Sequence, residues 1–180
     1  HVYVHVPYCL TRCGYCDFNT YTATELGNNS RSDYYELVIK EIGFSKQALD
    51  ASGIAPRPIS TIFFGGGTPT LLAAEHLIAI YQSLEKTFGL APSVEVTTEA
   101  NPDSVDREYL QKLKNAGFTR VSFGMQSAVP EVLKVLERTH NPDNVLVNVK
   151  AAKELGLETS VDLIYGTPGE SLADWEVSLR

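Results

Sequence analysis

The chain has only three cysteines among its 180 residues, an odd number that excludes a closed framework of disulfides. We find no apolar run long enough to span a bilayer and no secretory signal. Basic residues are also in deficit, with 15 Lys and Arg against 22 Asp and Glu, and the net charge of −7 argues against nucleic acid as a partner. Unpaired cysteines fit a reducing compartment, so we expect a cytoplasmic protein.

The few cysteines that are present lie together. Cys9, Cys13 and Cys16 form a C-x3-C-x2-C pattern within eight residues, so their thiolates can all reach one inorganic centre. A structural zinc ion takes four ligands, and His5 on the preceding strand is the available fourth. An iron–sulfur cubane normally takes four thiolates, so three would leave one iron open to a small molecule. The spacing favours a [4Fe–4S] cluster, with zinc as the alternative.

Strand and helix patterns alternate along the chain. This alternation predicts a parallel sheet with right-handed crossovers. At least four strands have one apolar and one polar face, which favours a helix-covered barrel with a polar interior. A doubly wound, flavodoxin-like sheet is the alternative, but its strands are usually apolar on both faces. We predict an α/β fold, a partial (β/α) barrel of about five units, with strands near residues 2–6, 59–64, 94–99, 120–124 and 159–165.

Capping patterns predict where several helices begin. Ser32 is the expected N-cap of the first helix, whose apolar side carries Leu37. The segment 101–103, Asn-Pro-Asp, is expected to begin the helix after the third strand. Ser171 and Asp174 form a capping pair for the last helix. Residues 22–32 are polar and rich in Asn and Ser, which predicts a mobile loop.

The segment Tyr3-Val-His5-Val-Pro7-Tyr8-Cys9, followed by Cys13-x-Tyr15-Cys16, resembles the radical S-adenosylmethionine (SAM) superfamily and its coproporphyrinogen-dehydrogenase-like branch. The resemblance implies that the three cysteines bind a [4Fe–4S] cluster. It covers residues 1–180, which it identifies as one radical SAM core domain. The barrel of this family has six β-α units, so the resemblance implies that the sixth unit and a C-terminal region are absent from the chain.

The resemblance also implies a set of SAM contacts at the ends of the strands. The glycine run after the second strand matches the motif that holds the methionyl amino group, and Glu99 is placed where a carboxylate can accept the ribose hydroxyls. Arg138 matches a position that can pair with the SAM carboxylate. The matched cofactor positions are Tyr3, Tyr15, Gly66, Gly67, Thr68, Glu99, Gln126, Arg138 and Asp162.

Without the resemblance, several of these residues have other interpretations. A glycine run also occurs in phosphate loops and tight turns, Glu99 is compatible with a surface salt bridge, and Arg138 with a solvated charge at a helix end. Packing alone would account for Tyr15. Asp162 is more distinctive, because a carboxylate in an otherwise apolar strand needs a partner.

Two histidines remain. His5 is expected to hold the cysteine loop through its ring nitrogens. His140 matches a family position for which the sequence indicates no role.

The chemistry that the resemblance implies is reductive cleavage of SAM. One electron from the cluster breaks a carbon–sulfur bond, and methionine and a 5′-deoxyadenosyl radical result. A protein such as flavodoxin or ferredoxin is the expected electron donor. The cofactors carry the difficult chemistry, while the protein orients them and excludes water.

Phe18 separates two branches of the family. Authentic coproporphyrinogen dehydrogenases carry a further cysteine two residues after the third, where this chain has Phe18. The Asp-Phe form resembles the heme-chaperone branch, which implies heme or a porphyrinogen as ligand, heme binding through regions outside this chain, and a heme-acceptor protein. The alternatives are an oxygen-independent coproporphyrinogen III oxidase, which acts by radical oxidative decarboxylation, and a radical SAM enzyme with another substrate.

Overall fold

The structure, a computed structural model, describes residues 1–23, 25, 31–55 and 57–180. Five parallel strands form one sheet, and neighbouring strands follow the order of the sequence. Right-handed crossovers between strands in this order place all the helices on one face, as in a barrel. A flavodoxin-like sheet has a strand order that doubles back. The predicted partial barrel is therefore confirmed, with strands β1 (Val2–Val6), β2 (Ile59–Gly66), β3 (Leu90–Ala100), β4 (Arg120–Gln126) and β5 (Glu158–Leu163).

Helices cover one face of the sheet and bury the core against it. The first helix packs on the second, the second on the third, and the third on the fifth. Apolar strand residues such as Phe64 and Phe123 are fully buried against this layer. In the described residues, no helix has the length and apolar character needed to cross a membrane. The helices are α1 (Tyr34–Ala51), α2 (Ala74–Phe88), α3 (Arg107–Ala116), α4 (Pro130–Val135), α5 (Asp143–Glu154) and α6 (Leu172–Leu179), with 3-10 turns at Pro69–Leu71 and Pro102–Ser104.

The other face of the sheet is polar, as the alternation within the strands predicts. In β4, Val121 and Phe123 are fully buried on the helix side, whereas Ser122 lies on the inner side. The strand register places Ser122 beside Glu99 of β3 and beside Ser160 of β5. Polar side chains from adjacent strands therefore meet on the inner face.

The capping predictions had mixed outcomes. Ser171 and Asp174 form the predicted capping box at the start of α6. The Ser32 prediction was wrong, because Asp33 occupies the N-cap of α1 and the Ser32 hydroxyl donates to the Asp33 carboxylate (2.8 Å). Leu37 was also wrong as an apolar contact, since it is 60% exposed. Of the predicted loop 22–32, residues 24 and 26–30 lie outside the described residues.

The predicted helix start at residues 101–103 was also wrong. The Asn101 side chain accepts from the Asp103 amide (2.9 Å) and caps a 3-10 turn instead. Val105 then has an extended backbone, and Asp106 caps α3 by accepting from the Tyr109 amide (2.8 Å). Two capping residues five positions apart therefore divide the segment into a turn and a helix.

Candidate functional site

A cavity of about 650 Å³ opens at the carboxyl ends of the strands. Its walls come from the cysteine loop (residues 9–20), from the segment that follows β2, and from the ends of β3, β4 and β5. All the predicted site residues except Tyr3 line it: Cys9, Cys13, Tyr15, Cys16, Gly66, Gly67, Thr68, Glu99, Gln126, Arg138 and Asp162. Residues far apart in sequence are thus brought into one pocket.

The cysteine loop is held at its base by main-chain hydrogen bonds. The Cys9 amide donates to the Tyr21 carbonyl (3.0 Å), and the Tyr21 amide donates to the Pro7 carbonyl (2.7 Å). His5 Nε2 donates to the Asn19 carbonyl (2.8 Å), while its Nδ1 lies 3.1 Å from the Tyr3 hydroxyl. His5 therefore holds the loop through Nε2 rather than through both ring nitrogens, since its Nδ1 has Tyr3 of β1 as its partner.

The loop after β2 docks on residues 6–8, which lead from β1 into the cysteine loop. The Gly67 amide donates to the Val6 carbonyl (2.7 Å), and the Thr68 amide donates to the Tyr8 carbonyl (2.7 Å). A Cβ atom on Gly67 would lie 2.5 Å from the Tyr8 carbonyl oxygen and 3.0 Å from Cys9 Sγ. Glycine is required here because two backbone segments approach too closely for any side chain.

We expect Gly67→Ala to destabilise the protein by about 1–3 kcal/mol, because the added methyl group must displace backbone. The displacement moves Cys9, so iron uptake on anaerobic reconstitution should also fall. Denaturant titration and iron content measure the two effects. Gly43→Ala in α1 is the matched control, since a Cβ there meets nothing within 4 Å. Equal stability and iron uptake in Gly67→Ala and Gly43→Ala would show that position 67 does not require glycine.

The donor set can be tested against the two metal centres considered above. Cys9, Cys13 and Cys16 are free, half-buried and on one cavity. Within the described ranges, no three His, Cys, Asp or Glu side chains are gathered closely enough to hold a single metal ion. A structural zinc site takes four ligands, whereas each iron of a cubane takes its own thiolate. Three thiols along one cavity wall fit a cubane with one iron free of protein.

Burial shifts the pKa of one thiol and one phenol on the cysteine side of the cavity. It raises the pKa of the Cys9 thiol, and the Thr20 and Thr68 side chains oppose the shift by hydrogen bonding. Burial also raises the pKa of Tyr15 to about 12, against the charge of Arg138. Tyr15 is therefore a neutral phenol beside the cysteines at physiological pH.

Glu99 lies on the inner face near the end of β3, with its carboxylate at the cavity. Its Oε2 accepts from the Gly66 amide (3.2 Å). Burial raises the pKa of Glu99, the Gly66 amide opposes this shift, and the negative charge of Asp162 adds to it. Glu99 is therefore not in a surface salt bridge with any described residue. Its side chain is partly buried and accepts a hydrogen bond from Gly66, in the loop after β2.

Arg138 reaches the cavity from the segment after α4. Its Nη2 donates to the Gly124 carbonyl (2.7 Å), and its Nη1 lies 3.7 Å from Cys13 Sγ. Its buried Nε has no partner among the residues that the structure describes. A guanidinium has five N–H donors, so Arg138 retains donors for an anionic ligand.

Gln126 has an unusual backbone for a residue other than glycine. Its φ is 67°, and the register of β4 and β5 shifts between Gly124 and Gln126. A Cβ on Gly124 would lie 3.0 Å from Arg138 Nη2 and 3.1 Å from Gln126 Nε2. The irregularity thus brings the Gln126 and Arg138 side chains together over Gly124, and strain of this kind clusters at functional sites.

Tyr3 is the predicted residue that the structure places apart from the cavity wall. Its ring stacks on Phe63, with centroids 6.2 Å apart. Burial and then the Glu99 charge raise the pKa of its hydroxyl, so Tyr3 lies near Glu99, below the cavity.

The sequence did not predict one wall of the cavity. Asn101, Asp103 and Ser104 line it because the 3-10 turn after β3 folds back over the strand ends. The two potential caps flanking this turn, Asn101 and Asp106, were the available signal.

His140 is buried near this turn, and neither ring nitrogen has a partner within residues 1–23, 25, 31–55 and 57–180. Burial, helped by the Arg138 charge, lowers the pKa of His140 to about 4, so it is neutral at physiological pH.

Known proteins are similar to this chain in sequence. The model of the Radical SAM superfamily matches residues 3–180. Heme chaperone HemW of Mycobacterium tuberculosis (strain ATCC 25618 / H37Rv) is 46% identical over 171 residues, which cover 94% of this chain and 43% of that protein. Heme chaperone HemW of Escherichia coli (strain K12) is 34% identical over 180 residues, which cover 99% of this chain and 46% of that protein.

A solved structure also matches the fold. Coproporphyrinogen III oxidase (HemN) from Escherichia coli, described as a radical SAM enzyme, superposes with a TM-score of 0.86 at 27% identity. The superposition covers 99% of this chain and 40% of that chain. The chain therefore spans less than half the length of each of these three proteins.

Proposed function

The chain belongs to the radical SAM superfamily, and from this premise we propose that it forms the cofactor-binding core of a heme chaperone. The observation that carries the proposal is the 46% identity to a heme chaperone over 94% of the chain. The family implies a [4Fe–4S] cluster and SAM as cofactors. Residues 1–180 serve in this proposal as one radical SAM core domain, and heme is bound through other parts of a longer protein.

In this proposal Cys9, Cys13 and Cys16 hold the cluster. When bound, the cluster supplies the electron that cleaves SAM reductively. A cavity of about 650 Å³ is within the usual size of small-molecule sites. The backbone of the loop Gly66–Thr68 binds the methionyl group in this proposal, which its close approach to Cys9 supports.

The remaining polar residues orient SAM. The half-buried Glu99 carboxylate accepts hydroxyl groups, and Asp162 offers a second acceptor across the cavity. Arg138 offers donors for the SAM carboxylate, and Gln126 lies beside it. Tyr15 covers the cysteine side of the pocket as a neutral phenol. Tyr3 acts from below the cavity, through its neighbours Phe63 and Glu99.

The proposed partners follow from the same function. Heme or a porphyrinogen is the ligand of the longer protein, and a heme-acceptor protein receives it. Flavodoxin or ferredoxin delivers the electron to the cluster. The protein works in the cytoplasm in this proposal, where thiols stay reduced.

Coproporphyrinogen III oxidase activity is the second candidate. The TM-score of 0.86 to the Escherichia coli oxidase favours it. Phe18 opposes it, because the dehydrogenase branch carries a cysteine at this position. Phe18 lines the cavity and is 70% exposed. The position that separates the two branches in sequence thus faces the proposed ligand site, and a phenyl ring replaces the thiol.

Anaerobic assays of the full-length protein with reductant, SAM and coproporphyrinogen separate the two candidates. We expect the protein to bind heme and to yield no protoporphyrinogen, as read by porphyrin fluorescence after oxidation. Phe18→Cys should not create turnover, because radical transfer requires close placement of the reacting carbon, which one side chain does not provide. Wild-type turnover of about one per second or faster would replace the chaperone proposal with the oxidase.

A further inference from the structure

Four polar side chains form a ladder on the inner face of β4 and β5. Ser122 and Ser160 lie opposite each other in the register, as do Gly124 and Asp162. Side chains two residues apart on one strand share a face. Arg120, Ser160, Ser122 and Asp162 therefore alternate between the two strands in a zigzag that climbs toward the cavity.

Consecutive members of this ladder are within hydrogen-bond distance. Arg120 Nη2 donates to Ser160 Oγ at 2.7 Å, and the two serine oxygens are 2.7 Å apart. Ser122 Oγ lies 3.1 Å from each carboxylate oxygen of Asp162. Ser122 is buried, whereas Asp162 lines the cavity. The ladder thus connects the interior of the sheet to the proposed SAM site.

The chemistry of the two ends sets the direction of the hydrogen bonds. A guanidinium only donates, an ionised carboxylate only accepts, and each serine hydroxyl has one proton to donate. Ser122 gives its proton to Asp162, so Ser122 must accept from Ser160. Ser160 in turn accepts from Arg120. Every bond then points from the guanidinium to the carboxylate, and both terminal bonds involve a charged group.

We propose that Arg120, Ser160 and Ser122 are positioning residues that orient the Asp162 carboxylate toward SAM. The inference rests on the proposed function, in which Asp162 is a SAM contact. Ser122 lies 3.1 Å from both carboxylate oxygens, so its hydroxyl occupies the space between them and leaves their outer lone pairs for the cavity. Bonds in such a chain polarise one another, so loss of an inner member also weakens the last contact.

The test measures SAM affinity by anaerobic calorimetry on the reconstituted full-length protein. We expect Ser160→Ala to weaken SAM binding about two- to tenfold, because the neutral hydrogen bond between Ser160 and Ser122, the one that reaches Asp162, is lost together with the bond from Arg120. Ser160→Thr keeps the hydroxyl and should restore affinity toward the wild-type value. Ser160→Val has the same shape as Thr without the hydroxyl, and should bind as weakly as Ser160→Ala. Thr159→Val, on the opposite face of β5, is the control.

A double-mutant cycle distinguishes positioning from a general structural role. If Ser160 acts through Asp162, Ser160→Ala should have no further effect on SAM affinity in the Asp162→Asn background. A residue that only supports the sheet would weaken binding equally in both backgrounds. Ser122→Ala provides the same cycle if thermal melting shows that Ser160→Ala does not fold.

The outcomes separate this inference from the proposed function. A wild-type protein that binds no SAM overturns the proposed function itself. If wild type binds SAM and Asp162→Asn weakens binding, but Ser160→Ala and Ser122→Ala do not, only the positioning chain is overturned. Equal losses in both backgrounds of the cycle also overturn it.

Discussion

Cys13→Ala should abolish cluster binding by the full-length protein. Two thiolates would remain, too few for a cubane in which three irons each take a protein thiolate. After anaerobic reconstitution, iron content should fall from about four per chain to near zero, and the visible absorption of the cluster should disappear. Cys9→Ala and Cys16→Ala should have the same effect, because all three thiols line one cavity.

Thr11→Ala is the matched control for the cysteine variants, since Thr11 lies in the same loop and is exposed. In the wild-type protein, the electron paramagnetic resonance spectrum of the reduced cluster should change when SAM is added, because SAM reaches the open iron. If the spectrum does not change on addition of SAM, then SAM does not bind an iron of the cluster. Stoichiometric zinc, in a protein that cannot be reconstituted with iron, would show that the site is misassigned.

Glu99→Gln should weaken SAM binding about ten- to a hundredfold. The loss of a hydrogen bond that involves a charged group costs about 1.5–3 kcal/mol, which corresponds to that range. Gln is close to Glu in size, and its carbonyl oxygen can still accept from the Gly66 amide. The variant therefore removes a negative charge from the cavity and keeps the hydrogen bond to the loop Gly66–Thr68. Equilibrium binding of SAM to the reconstituted protein measures the effect.

The same substitution should not lower the melting temperature. The pKa of Glu99 is raised in the folded protein, chiefly by burial. A carboxyl with a raised folded pKa favours folding when protonated, and this contribution is lost as the pH rises through the folded pKa. At pH 8 the ionised Glu99 is therefore a cost to stability that Gln removes. We expect a melting temperature equal to or above that of wild type.

The raised pKa of Glu99 also predicts a pH dependence of binding. SAM affinity of the wild type should fall on acidification at a pH above the range where an ordinary glutamate protonates, and this step should be absent from Glu99→Gln. Glu95→Gln is the matched control, because Glu95 lies on the same face of β3, farther from the cavity. Unaltered SAM affinity in Glu99→Gln would show that the carboxylate does not contact SAM.

The sequence was most informative where the physical signal is local. The alternation of Val121, Ser122 and Phe123 predicted which face of β4 is buried, because side chains on a strand alternate sides whatever the strand packs against. The capping box of Ser171 and Asp174 was predictable for the same reason, since its bonds span three residues. Local signals failed at residues 101–106, because two capping residues lie five positions apart and both are used, Asn101 for a 3-10 turn and Asp106 for the helix that follows.

The candidate site divides along the same line. The spacing of Cys9, Cys13 and Cys16 lies within one loop, so the donor set and the family could be identified from the order of residues. The contact of Gly67 with Tyr8, the approach of Arg138 to Cys13, and the chain from Arg120 to Asp162 all join distant segments. Such contacts depend on how distant segments pair, and a strand slip of two residues would keep each apolar face buried while separating these partners. The alternation of apolar and polar residues fixes the face of each side chain but does not choose between registers two residues apart, which the packing of the strands against the helices decides.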